Sequence, residues 1–137
     1  MTTLKPLLFA MGLGAGASAA AAELPPLREV EEIDRNMLWA AIAIEVSDEC
    51  PTLEARKLKG LNFLWGLKRQ ASSMGYSDAQ IRSYVESDAE EARIRRLGES
   101  YVRRAGFDPK TEAGLCAFGR AEIARGSLIG SFLRSTR

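Results

Sequence analysis

The chain has 137 residues, 46% of them hydrophobic and 27% charged, with a formal charge of +1. That length suits one ordinary domain, and the composition is that of a folded globular chain, not a disordered or fibrous one. Histidine is absent, which excludes Ser-His-Asp and Cys-His machinery, histidine-ligated zinc or haem, and the usual pH switch near neutrality.

Residues 1–22 read as an address. Lys5 supplies a positive start, Leu7 to Ala17 is an uncharged apolar stretch, and Ala20-Ala21-Ala22 closes it with the small residues a signal peptidase reads. The expected mature start is Glu23, with cleavage after Ala20 as its close competitor, and the expected location is periplasmic or secreted. A retained anchor is the alternative, but residues 6–22 are short and weakly apolar beside the roughly 20 apolar residues a span requires. No cysteine stands at the cleavage point, so a lipid-modified N-terminus is not indicated.

Leu24-Pro25-Pro26-Leu27 starts a helix poorly, so residues 23–33 read as an extended arm before a helical domain over 34–137. Asp34 is a plausible N-cap for a first helix over about 34–49. Its run MLWAAIAI, residues 37–44, is apolar in every direction of the helical wheel, which describes a buried central helix. Pro51 stops it.

Thr52 is expected to cap a second helix that ends near Ser73. Leu58, Leu61, Phe63, Leu64, Trp65, Leu67 and Ala71 make one broad apolar face, with Lys57, Lys59, Lys68 and Arg69 at its margins or opposite. Ser77 with Gln80 forms a capping box, and Tyr76 and Ile81 occupy hydrophobic-staple positions, opening a short third helix from 77 to 86. Ser87 with Glu90 repeats the box before a fourth helix that ends at Ala105-Gly106. A fifth runs from Thr111 or Glu112 to about Leu133. No segment alternates with period two for long enough to predict a strand. The expectation is an all-α compact bundle of about five helices with short connections.

Cys50 and Cys116 are the only cysteines. Their separation cannot make a C-x-x-C redox pair or a thiolate metal cage. An even count in an exported chain favours a disulfide, with a reactive thiol pair as the alternative.

Charge is distributed unevenly. Residues 23–54 carry nine acids and two bases, and residues 55–137 carry nine acids and sixteen bases. Such halves can close on each other within the fold or pair between copies.

Three features are candidates for function. Gly119, Gly126 and Gly130 fall within about 40° of one another on one helical wheel, a row that admits close approach. Close helix packing is one use, and a groove for a partner or small molecule is the other. Beside them Glu122 faces the apolar side. Pairing with Arg125 three positions on is one reading, and a general acid of raised pKa is the weaker catalytic candidate. Arg93, Arg96, Arg103 and Arg104 share an arc of about 100° on the fourth helix and could grip phosphate or carboxylate groups. A solvated face is the plainer reading, with Glu29, Glu31, Glu32 and Asp34 as internal neutralisers. The charge is balanced and the chain reads as exported, so nucleic acid is not expected.

The leader, PPLREV-x-EID, a helix ending in CP, MGYSDAQI, and C-x-x-G-R-A-E-I-A-R-G-S-x-I-G-S-x-L together resemble an uncharacterised family of small exported helical proteins from alphaproteobacteria, a domain of unknown function. The resemblance covers nearly the whole chain after the leader and is strongest from Cys116 to Leu133. It implies a single exported domain and carries over no activity, cofactor or functional residue. The reading is therefore a non-enzymatic interaction module of the cell envelope, without cofactor, metal or membrane span in the mature chain. An envelope protein or an anionic surface is the expected partner. The alternatives are a small-molecule carrier, or a carboxylate-dependent hydrolase or lyase, using the Gly119/Glu122/Gly126 groove.

Overall fold

In the computed structural model of the protein, residues 23–136 are described. The expected leader, residues 1–22, lies outside the described residues.

The first helix, α1 (Glu31–Glu49), buries Ile33, Ala40, Ile42, Ala43 and Val46, the three- and four-residue spacing of an inward stripe. It is the central element, packing against the second, fourth, fifth and sixth helices. It begins three residues before the expected Asp34. Val30 is its extended N-cap and makes no side-chain cap bond; Glu31, Glu32 and Asp34 instead place negative charge at the positive helix end. The arm is docked, not free. Leu27 is buried within a 3-10 turn (Leu27–Glu29), and the Tyr76 hydroxyl donates to the Pro25 carbonyl. Ile44 is 51% exposed, so the apolar run of α1 exceeds what its neighbours cover.

Thr52 does not cap a helix. The chain first forms β1 (Leu53–Ala55), which pairs antiparallel with β2 (Leu133–Ser135) in the register Leu53↔Ser135, Glu54↔Arg134 and Ala55↔Leu133. The Thr52 carbonyl accepts the Thr136 amide at 3.0 Å, and its hydroxyl accepts from Arg120 Nη2 at 2.7 Å. These three-residue strands are too short for a period-two signal and are unpredictable locally, because each exists only through its distant partner.

The second helix, α2 (Lys57–Ser73), buries only Leu67 and Ala71. Next, α3 (Asp78–Val85) starts with the complete box: Ser77 Oγ accepts the Gln80 amide at 3.1 Å, and Gln80 Oε1 accepts the Ser77 amide at 2.8 Å. The flanking Tyr76 and Ile81 are both buried in one cluster. At α4 (Asp88–Arg104) half of the expected box forms. Ser87 Oγ accepts the Glu90 amide at 3.2 Å, while the Glu90 carboxylate turns to Arg93 and Arg28.

The expected fifth helix is two. Helix α5 (Glu112–Arg125) ends where Gly126 takes φ +66°, and α6 (Leu128–Ser131) restarts with Ser127 Oγ accepting the Gly130 amide at 3.0 Å. Gly-Ser at this point is a left-handed stop followed by an N-cap.

One core gathers Ile42, Val46, Leu53, Val102, Phe118 and Ile129, and a second gathers Leu27, Ile33, Leu67, Ala71, Tyr76 and Ile81; Phe63 borders both. A disulfide joins Cys50, at the end of α1, to Cys116 in α5, with the Cα atoms 5.2 Å apart. Among the described residues the fold is all-α, six helices with one two-stranded ribbon. None of these helices is long and apolar enough to cross a membrane.

Candidate functional site

The four arginines of α4 do not act as one group. Arg93 turns into the molecule. Its Nη1 donates to Asp34 Oδ2 at 3.0 Å, its Nη2 to Asp34 Oδ1, and its Nε to Glu90 Oε2 at 2.7 Å. Only 16% of each of these three side chains is exposed. The Tyr84 hydroxyl donates to Asp34 Oδ1 at 2.6 Å. Hydrogen bonding to Asp34, opposed by burial and aided by Glu90, raises the Arg93 pKa above its ordinary value. Burial first, then the Asp34 carboxylate, raises the Tyr84 phenol. The acidic first turn of α1 thus neutralises one of the four arginines, while Arg96, Arg103 and Arg104 remain exposed on the surface.

The three glycines do not line a groove. A Cβ on Gly119 would stand 2.5 Å from Leu53 Cδ1 and 2.7 Å from Val46 Cγ1, so that site is filled by the core. A Cβ on Gly130 would meet the Glu122 carbonyl oxygen at 2.2 Å, because α6 folds back onto the end of α5. Gly126 serves the left-handed turn between the two helices, which breaks the single wheel on which the row was drawn.

Glu122 is 4% exposed, and both its carboxylate oxygens accept from Arg125 Nη2, at 2.8 and 2.7 Å. Hydrogen bonding to Glu122, then to the Tyr101 hydroxyl, raises the Arg125 pKa. Four surface hollows are described, and Gly119, Glu122, Gly126 and Gly130 line none of them. Nor does any group of three or more acidic or cysteine side chains among the described residues have metal-binding geometry.

What the structure leaves uncovered is a ridge on α2. Leu58 is 79% exposed, Leu61 52% and Trp65 54%. At 3.6 residues per turn these three fall within an arc of about 60°, turned away from the buried Leu67 and Ala71. Lys57 and Lys68 flank the ridge on one side and Arg69 on the other, with Lys68 Nζ 5.4 Å from the centre of the Trp65 ring. No acid occurs between Glu54 and Asp78, whereas Arg56, Lys57, Lys59, Lys68 and Arg69 do.

Two apolar hollows border the ridge and share Leu61 and Leu64. The one toward α3, about 350 Å³, is walled by Leu27, Met37, Trp65 and Val85 with Lys68 and Arg82 at its edge; Asp78 and Glu86 stand on its α3 side. The one toward α1, about 300 Å³, adds Ile44, Arg56 and Lys57. The sequence places Leu58, Leu61 and Trp65 on the apolar face of this helix but does not show that they stay outside. The available signal is width: the apolar residues of α2 span about 220° of the wheel, more than one packed side can cover.

The model of a family of unknown function (DUF5333) matches residues 25–134, and the chain belongs to that family. No curated protein and no solved structure matches it.

Proposed function

We propose that this protein is an exported, disulfide-braced binding module of the cell envelope that works by surface docking, and that the α2 ridge is its docking face. The observation that carries the reading is the ridge itself. Scattered exposed apolar side chains are ordinary, but three in one stripe, bordered by hollows and fringed by cations, form a contiguous patch of the kind found at interaction sites. Export is supported by the paired cysteines, since such bonds persist in oxidising compartments. The filled space beside Gly119 and the Arg125 clasp on Glu122 take away the groove on which the carrier and hydrolase alternatives rest.

Fractionation of the native host tests this directly. Full-length chain, expressed there, should be recovered without residues 1–22 and without alkylatable thiols, and should be retained by envelope fractions. Replacing Leu58, Leu61 and Trp65 together by Ser should release it with the chain still folded, because each is more than half exposed. Replacing Arg96, Arg103 and Arg104 by Ser should leave most of it retained. Equal retention of the ridge variant and the wild type would remove the docking face.

A further inference from the structure

We infer that the partner of the α2 ridge is the surface of an anionic lipid bilayer; this rests on the docking reading above and names its occupant. An interfacial helix lies in the membrane plane with apolar side chains in the headgroup–acyl boundary and Lys or Arg on either side reaching phosphates. The α2 surface has those parts in that order: Lys57 and Lys68, then Leu61, Trp65 and Leu58, then Arg69. Trp65 is the side chain suited to the boundary, its ring apolar and its indole N–H able to meet the headgroup layer. The lysine stems can lie along the apolar stripe while their ammonium groups reach outward.

Charge selects the class of surface. The 23 residues between Glu54 and Asp78 contain five cations and no acid, a field that attracts a negative leaflet. None of the five is paired with a carboxylate among the described residues, so none must be released before docking. A second copy fits poorly. A two-fold pairing of this face would bring Lys57, Lys68 and Arg69 of one chain against the same residues of the other. A stripe three side chains wide is also small beside a standard interface of about 1,600 Å². Asp78 and Glu86 stand at the two ends of α3, across the hollow from the α2 stripe and not within it.

The test is cosedimentation of the full chain with vesicles of equal parts phosphatidylglycerol and phosphatidylcholine, beside vesicles of phosphatidylcholine alone. The expected result is binding to the anionic vesicles at low salt, weakened as salt rises. Replacing Lys57, Lys68 and Arg69 by Ser should weaken it about a hundredfold, at about fivefold for each cation. Brominated acyl chains should quench the emission of the wild type far more than that of Trp65→Phe, in which the remaining Trp39 is partly buried against Tyr101, away from the α2 ridge. No binding to anionic vesicles at low salt would overturn the inference, as would equal binding by the Leu58, Leu61 and Trp65 triple Ser variant. If envelope retention still needs the ridge while anionic vesicles do not bind, a protein occupies it: the lipid inference fails and the docking face stands. A concentration-dependent dimer broken by the same three substitutions would assign the ridge to a second copy and overturn the inference equally.

Discussion

Arg93 of α4 grips both carboxylate oxygens of Asp34 in α1, 59 positions earlier in the chain. The pair joins the acidic end of the chain to its basic remainder, and it does so where only 16% of either side chain is exposed. Removing the cation alone leaves Asp34 with only the Tyr84 hydroxyl and Glu90 with only the half-exposed Arg28. Breaking a largely buried pair from one side costs about 3 kcal/mol, since the remaining charge stays desolvated. Arg93→Gln should therefore lower the midpoint of thermal unfolding by roughly 10 °C for a domain of this size. Arg96→Gln, on the exposed part of the same helix, should shift it little. Circular dichroism melts of the two variants check this, and equal midpoints would contradict it.

The disulfide makes a second expectation. It closes a loop of 66 residues, which in the chain-entropy description contributes about 4 kcal/mol by restricting the unfolded state. Total stability for such a domain is about 5–15 kcal/mol, so the bond is a large share. Both sulfurs lie in the first core beside Val46 and Phe118. Cys50→Ala with Cys116→Ala should shift the urea midpoint down by about half, with the slope of the transition rising as the unfolded chain expands. A midpoint unmoved by the double substitution would show that the bond is not formed in solution.

The parts of this fold that were legible in the sequence are those decided within a few residues. The Ser77–Gln80 box, the Ser87 cap and the Glu122–Arg125 pair each depend on partners three positions apart, and each forms as read. The small ribbon was illegible, because Leu53–Ala55 becomes a strand only when residues some 80 positions later arrive beside it. The glycine row failed for a different reason. A helical wheel assumes one uninterrupted helix, and the left-handed turn at Gly126 rotates everything after it onto a new axis. The α2 ridge was half legible. Its residues were on the expected apolar face, but which third of a wide face stays uncovered depends on where α1 and α3 end up. Arg93 shows the same limit, sharing the phase of the other arginines while meeting an acid the wheel does not contain.

Glycine substitutions separate packing from conformation. Gly119→Ala adds a methyl against Leu53 and Val46 in the first core, both held by their own neighbours. Overpacking of that kind costs about 1–3 kcal/mol, against about 1 kcal/mol gained in helix propensity, so a net loss of about 1 kcal/mol is expected. Gly130→Ala meets backbone atoms, the Glu122 carbonyl at 2.2 Å and Ile123 nitrogen at 2.6 Å, which cannot rotate aside. It should be the most damaging of the set and should detach α6 from α5. Gly60→Ala, in α2 with nothing within 4 Å of the added carbon, should stabilise by about 0.5–1 kcal/mol. Equilibrium denaturation of the three variants gives the order, and a stabilised Gly119→Ala would refute the filled-core account of the glycine row.

Tyr84 gives stability a dependence on alkaline pH. Its hydroxyl donates to Asp34 Oδ1, which also accepts from Arg93 Nη2, and Arg93 in turn holds Glu90. Burial raises its pKa most, the Asp34 hydrogen bond and charge next, and Glu90 adds slightly, while Arg93 opposes them. In the unfolded chain the phenol titrates near 10. The folded chain therefore holds its proton over a range in which the unfolded chain has released it. The contribution is complete below pH 10 and is lost as pH rises from there toward the higher folded pKa. Tyr84→Phe removes the titration along with one hydrogen bond, so it should be less stable than wild type at pH 7 by about 1 kcal/mol. The gap between the two should close as pH rises above 10, because only the wild type then pays for an ionisation that folding suppresses. Urea titrations at pH 7, 9 and above 10 report that difference. Curves that stay parallel across the range would mean that the Tyr84 proton is not held by Asp34.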